Sequence, residues 1–265
     1  MVKQISSLQN SFIKELITLK EKSRSRKKFG RFLIEGKKEI SLAIEGDYTI
    51  DAFIYNPNIA TLEEIKMPTD QEIDLIEVSD EVYQRLAYRE STQGILALAK
   101  VKELTLSSIK FKRANPLILV AEAPEKPGNI GALLRTADAA NVDAVIIANP
   151  RTDLYNPNII RSSVGCVFTN QIATGTTDEI IAYLKRNNIN IFCAALQASV
   201  NYHSQDFTNA TAIVVGTEAT GLTSNWLENS TQNIVIPMQG AIDSMNVSVS
   251  AAIIIFEAKR QRQFN

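Results

Sequence analysis

From Leu117 onward the chain repeats one pattern: a short, wholly apolar run, a polar turn, then a segment with helical spacing. "LILVAEA", "DAVIIA", "NIFCAAL" and "AIVVG" are almost continuously apolar, as strands are when both sheet faces are covered. "NIGALLRTADAANV", "NPNIIRSSVG" and "TDEIIAYLKRN" lie between them as helices, and "QNIVIPM" supplies a fifth strand. The alternation predicts an α/β fold, a mostly parallel sheet with helices on both faces. Ligands of such sheets bind beyond the C-terminal strand ends. The loops leaving the strands are therefore where chemistry is expected.

The first hundred residues predict a smaller α/β unit. "SFIKELITLKEK" sets Phe12, Leu16 and Leu19 at helical spacing, and "KSRSRKKFGRFLIEG" passes from a basic stretch into a short strand. "KKEISLAIEG" is a second amphipathic helix that stops at Gly46, and "IDAFIY", "IDLIEVS" and "GILALAKV" are strand-like. Apolar density falls over "VKELTLSSIKFKRANP", which places the domain boundary near residue 108: 1–108, then 109–265. Charge is segregated within the small unit. Residues 1–40 hold 11 Lys and Arg against 4 Glu, whereas residues 41–80 hold 1 Lys against 10 acids. Such a dipole fits a polyanion held on one side, or solvated helix faces. Two cysteines supply neither a disulfide framework nor a metal-ligand cluster. With no span-length apolar run and no secretory core, the expectation is a cytoplasmic protein without metal or membrane.

Three loops concentrate polar groups. In "EAPEKPGNIGALLRTA" a helix opens near Asn129 and buries Ile130, Leu133, Leu134 and Ala137. Arg135 lies roughly 140° from the leading residue of that stripe, directed away from the sheet. It is either an ordinary exposed arginine or a group that reaches a phosphate or carboxylate, and Asn129 is either an N-cap or part of a site. In "VVGTEATGLTSNW", Gly216 follows a strand directly, where backbone can approach a ligand, and Glu218 sits in the loop. Neither Walker A nor dinucleotide glycine spacing is present. In "IPMQGAIDSMNVSVSAAIIIFEAKRQR", Ser244, Asn246 and Ser248 crowd the start of a helix whose stripe is Val247, Ala251, Ile254, Ile255 and Ala258. Capping explains one or two of these polar groups but not the cluster. Such a helix start can hold a phosphate or a ribose edge.

Together the three loops resemble, in order, the three motifs of the SpoU/TrmH family of RNA 2′-O-ribose methyltransferases, within the SPOUT superfamily. "IIRSSVGCVF" resembles the family segment after the second strand, while "FLIEG" and "STQGILALA" resemble its small N-terminal domain. The resemblance implies a knotted C-terminal α/β domain, an exception to unknotted topology, and an N-terminal RNA-binding domain akin to a ribosomal-protein fold. It implies S-adenosylmethionine as cofactor, held by Gly216, Ile236 and Met245 with Leu196 and Leu222 nearby. It also implies a homodimer with the active site near the subunit interface. By motif position Asn129, Arg135, Glu218, Ser244 and Asn246 are the catalytic set.

A ribose hydroxyl must lose its proton as it attacks the sulfonium methyl. His203, the only histidine, lies outside the motifs. The motif-one arginine is the family's proposed base, but a guanidinium does not readily deprotonate. Arg135 is therefore expected to bind the phosphate beside the target ribose and orient its hydroxyl. Ser244 and Asn246 would bond the ribose or place Arg135, and Glu218 would brace its loop. The basic stretch then becomes the RNA grip: Lys22, Arg24, Arg26, Lys27, Lys28 and Arg31, with Phe29 either stacking on a base or anchoring the stretch. Departures from the family pattern (Thr217, Met245, Glu125-Lys126) remove no proposed functional group. The expected activity is methylation of a ribose 2′-hydroxyl in structured RNA, ribosomal RNA ahead of transfer RNA. The alternatives are a transfer-RNA enzyme, a base methylase, or a silent RNA-binding module.

Overall fold

The computed structural model describes residues 2–61, 63, 73–89, 93–197, 199–217 and 220–264. Its contacts divide into two units: Met1–Glu103 with Asp153–Thr169, and Leu104–Thr152 with Asn170–Asn265.

The first unit carries, among the described residues, a five-stranded sheet in the order β1-β4-β3-β5-β2. These are β1 (Lys3–Ile5), β2 (Arg31–Glu35), β3 (Ile50–Tyr55), β4 (Asp74–Val78) and β5 (Ile95–Lys100). β1 and β3 run parallel to β4, while β2 and β3 flank β5 antiparallel. Helix α1 (Ser11–Glu21) buries Ile13, Leu16 and Leu19 completely. They join Leu33, Ile54, Leu98 and the α4 (Asp80–Leu86) residues Val82 and Leu86 in one apolar core. The basic stretch forms a helix of its own, α2 (Ser23–Phe29). Of "STQGILALA", Ser91 and Thr92 lie outside the described residues.

Asp153–Thr169 follows the sequence boundary near residue 108, yet it packs with the first unit. It supplies α6 (Pro157–Ser162) and α7 (Cys166–Thr169). Aromatic packing explains why: Tyr155 stacks on Phe32 at 4.3 Å, and Phe168 meets the Tyr48 ring at 5.1 Å. Gly46 ends α3 (Lys37–Glu45), but at φ −82 it needs no left-handed turn, which Asp47 takes instead at φ 56. What demands glycine is proximity. A Cβ at Gly46 would lie 2.3 Å from the Phe168 carbonyl oxygen.

The second unit holds, among the described residues, seven strands in the order β10-β12-β9-β11-β6-β7-β8. They are β6 (Leu117–Glu122), β7 (Ala144–Ala148), β8 (Ile172–Gly175), β9 (Asn190–Ala194), β10 (Val200–Asn201), β11 (Thr211–Val215) and β12 (Gln232–Val235). Every pairing is parallel. β6, β7 and β11 are buried at every position, as continuous apolar runs require. The helices are α5 (Pro127–Ala139), α8 (Thr177–Arg186), α9 (Ser224–Asn229) and α10 (Val247–Gln261). α8 buries Ile180, Ile181 and Leu184 against the sheet, and α9 adds Trp226, wholly buried. α10 buries Ala251, Ile254, Ile255 and Ala258, its expected stripe apart from Val247, which is half-buried, and packs on α5.

Candidate active site

β9, β11 and β12 are neighbours, and beyond their C-terminal ends lies a cavity of about 670 Å³. That volume suits a small-molecule site. Ala194, Ala195 and Leu196 form one wall where β9 ends, and Val215, Gly216 and Thr217 form another where β11 ends. Ile234, Val235 and Ile236 continue it from β12, and Ser244, Met245 and Asn246 close it ahead of α10. Leu196, Gly216, Leu222, Ile236 and Met245, the five residues expected to hold the cofactor, thus all line one cavity.

Local sequence explains the walls. Thr217 and Gly221 exchange backbone hydrogen bonds at 3.1 and 3.0 Å, folding the loop after β11 back on itself. Gly221 turns the chain at φ 68. A Cβ at Gly216 would lie 2.3 Å from the Gly221 carbonyl carbon, so only glycine permits this approach. The lining mixes apolar side chains with exposed backbone and a few polar groups. That composition fits an adenosine-sized ligand carrying a charged sulfonium arm, with Asp243 supplying a carboxylate to the lining.

The polar residues are arranged less simply. Asn246 is the N-cap of α10: its Oδ1 accepts from the Ser248 N–H at 3.0 Å and from Ser248 Oγ at 2.6 Å. Its Nδ2 therefore faces the other way and donates to Asn129 Oδ1 at 3.1 Å. Asn129 is not a cap. Lys126 takes that position and Pro127 opens α5, placing Asn129 inside the first turn. Ser244 Oγ donates to Asp243 Oδ1 at 3.2 Å. Arg135 is exposed on α5 and does not line the cavity, and no side-chain hydrogen bond or ion pair engages it among the described residues. Glu218 lies outside the described residues.

The basic row divides in two. Lys22, Arg24, Lys27 and Lys28 are exposed on and just before α2. Phe29, 41% exposed, sits beneath the Lys28 ammonium, 5.3 Å from its ring centroid. Arg26 is a correction: it is 3% exposed and ion-paired to Asp153. Its Nη1 donates to the Leu19 and Lys20 carbonyls at 2.6 and 3.1 Å, closing the end of α1. Arg31 is half-buried, its Nη2 2.7 Å from Glu15 Oε1.

Sequence reading missed the β9 contribution of Ala194 and Ala195, although the rule that sites gather at C-terminal strand ends points to it. It also missed Thr220, Leu227 and Met238 on the cavity wall. Nothing in their residue type marks them. No cluster of three or more His, Cys, Asp and Glu suited to a metal occurs among the described residues, and no described helix is long and apolar enough to cross a membrane.

Comparison with known proteins agrees with this geometry. The sequence profile of the SpoU rRNA Methylase family matches residues 116–256, and that of the MRM3-like substrate binding domain matches residues 10–97. The 23S rRNA (guanosine(2553)-2′-O)-methyltransferase RlmP of Bacillus subtilis is 28% identical over 97% of this chain and 100% of its own. The crystal structure of an RNA 2′-O ribose methyltransferase is 38% identical, with a TM-score of 0.83 over 98% of this chain and 99% of its own. The AdoMet-bound rRNA methyltransferase of Sinorhizobium meliloti, 24% identical, shares the fold with a TM-score of 0.90 over 98% of each chain. Motifs, cavity and whole-chain matches converge: the chain belongs to the SpoU rRNA methylase family.

Proposed function

We propose that the chain transfers a methyl group from S-adenosylmethionine to a ribose 2′-hydroxyl of structured RNA, ribosomal RNA ahead of transfer RNA. The observation that carries this is the cavity beyond β9, β11 and β12, lined by Gly216, Ile236 and Met245, which the motifs assign to the cofactor, and by Leu196 and Leu222, expected nearby. When bound, S-adenosylmethionine supplies an electrophilic methyl on its sulfonium. The chain's own part is to hold that ligand against Gly216, Ile236 and Met245 and to bring the ribose to it. Ser244 and Asn246 stand on the cavity wall with hydroxyl and amide groups suited to a ribose edge. Asn246, fixed by Ser248 and Asn129, is pre-oriented, and orientation alone lowers such barriers substantially. Arg135 meets a backbone phosphate and so sets where the 2′-hydroxyl lies, the proton leaving to a phosphate oxygen or to water. Glu218 belongs to the same proposal as a brace of its loop.

The first unit, residues 1–108 in the sequence reading, is proposed as the RNA-holding domain. Lys22, Arg24, Lys27 and Lys28 support this as an exposed basic row. Phosphate contacts of this kind position the RNA without reading its sequence. A homodimer is part of the reading. α10 turns a second apolar stripe outward, with Val249 46% and Phe256 41% exposed and Ala252 and Ile253 half-buried between them. The knot and a cytoplasmic location complete the proposal.

The test is methyl transfer from labelled S-adenosylmethionine to unmodified ribosomal and transfer RNA, read by nucleoside mass spectrometry. A 2′-O-methylated nucleoside from ribosomal RNA is expected. A base-methylated product overturns the ribose assignment, and a product from transfer RNA alone overturns the choice of RNA. Cofactor binding without any product on either RNA favours the silent module.

A further inference from the structure

Glu122 closes β6 and is only 3% exposed. A buried carboxylate is tolerated when its oxygens are fully engaged, and here they are. Oε1 accepts from Thr177 Oγ1 at 3.0 Å and from Thr223 Oγ1 at 2.9 Å. Oε2 accepts from the Thr223 backbone N–H at 2.9 Å. The Thr177 hydroxyl in turn accepts from Asn149 Nδ2 at 2.9 Å. Every one of these bonds points toward the carboxylate, the arrangement an ionised acid requires. No lysine or arginine pairs with it among the described residues.

The donors come from the segments that follow three other strands: Asn149 after β7, Thr177 at the start of α8 after β8, and Thr223 after β11. One carboxylate thus joins the C-terminal ends of four adjacent strands. Thr223 is the consequential link. It directly follows Leu222 on the cavity wall, and it directly precedes α9. Its hydroxyl makes no capping bond to α9, being spent on Glu122. Gly216 and Thr217 are therefore held by β11, which they follow, while Leu222 is held by Glu122 through its neighbour Thr223. Neither Glu122 nor Thr223 lines the cavity itself.

We infer that Glu122 is a positioning residue for cofactor binding: through Thr223 it fixes Leu222, and Gly221 against Gly216, in the shape that accepts S-adenosylmethionine. This rests on the cofactor reading of the cavity given above.

Calorimetric titration of S-adenosylmethionine into the wild-type chain, Glu122→Gln, Thr223→Val and the double variant tests it, beside thermal melts and steady-state kinetics. Glutamine keeps the volume but puts a donor where one acceptor stood. The cofactor Kd is expected to rise about tenfold in Glu122→Gln, the usual weight of a charge-assisted hydrogen bond. Thr223→Val, which keeps the backbone bond, should rise about threefold, and the double variant should be no worse than Glu122→Gln because both act through one contact. The KM for S-adenosylmethionine should rise while kcat at saturating cofactor stays within about twofold. Lower melting temperatures with an unchanged Kd would make Glu122 purely structural and overturn the inference. Should Glu122→Gln not fold, Thr223→Val decides alone: a raised Kd supports the inference and an unchanged one overturns it. A wild-type chain that binds no S-adenosylmethionine would overturn the reading of the cavity, and this inference with it.

Discussion

Asn246 accepts at Oδ1 from the Ser248 N–H and donates from Nδ2 to Asn129, so one side chain both starts α10 and ties it to α5. The two duties are separable. Aspartate caps a helix as well as asparagine does but has no N–H to offer Asn129. Asn246→Asp should therefore keep its melting temperature while losing methyl transfer by about tenfold or more, the scale of a misplaced reacting group. Asn246→Ala should lose activity and about 1 kcal/mol of stability as well. Single-turnover assays beside thermal melts separate these outcomes, and full activity in Asn246→Asp would remove the Asn129 contact from the mechanism.

Gly216 is fixed by its neighbours. A Cβ there would lie 2.5 Å from Leu222 N as well as against the Gly221 carbonyl, and backbone cannot yield as a flexible side chain can. Gly216→Ala is expected to weaken S-adenosylmethionine binding by at least about tenfold, the loop having to open by more than a rotamer change. Gly240→Ala is the control, since its Cβ would meet nothing within 4 Å. Calorimetry on both variants checks the contrast.

Arg26 and its neighbours should behave in opposite ways. Arg26→Ala leaves Asp153 without its partner and the end of α1 open, a loss of about 3 kcal/mol by the usual cost of breaking a buried pair. Denaturant unfolding measures it. Lys27→Ala and Lys28→Ala should leave stability unchanged, weaken RNA binding, and each reduce the salt dependence of binding by roughly one phosphate contact. A shallower salt slope in Arg26→Ala with unchanged stability would reverse the assignment.

Cys193 lies buried on β9, and burial, helped by the nearby Glu122 carboxylate, pushes its thiol from 9.0 up to about 12. The raised value belongs to the folded state. Below pH 9 both states hold the proton, and above it the unfolded chain alone sheds it, so stability declines from about pH 9 towards pH 12. Denaturant unfolding against pH should show this decline, and Cys193→Ala should make it shallower and start it later, near pH 10, where the tyrosines raised by burial, such as Tyr48 and Tyr155, take over. A thiol reagent at pH 8 should titrate the half-exposed Cys166 in the native chain and Cys193 only after unfolding.

The large sheet was legible because β6, β7, β9 and β11 are almost continuously apolar, and few other structures suit such runs. β8 escaped because "IATG" is four residues ending in polar and small groups. α2 escaped because seven residues, mostly charged, carry no apolar period. Of the site, the motif residues on strand ends and on the α10 start were legible, since glycine and capping chemistry announce themselves locally. Long-range pairings were not. Glu122 reads as the tail of a strand, and Arg26 as one cation in a row, until the carbonyls and hydroxyls that surround them are placed. The position of Asn129 was recoverable, because Pro127 marks the first residue of a helix more strongly than asparagine marks its cap.

The membership of Asp153–Thr169 bears on how the first unit could be exchanged between related chains. The chain passes between the units after Glu103, again after Thr152 and again after Thr169. Recombination at the junction after Glu103 alone would therefore separate Phe32 and Tyr48 from Tyr155 and Phe168. A transplanted first unit must carry this internal stretch with it, so exchange needs two insertions rather than one.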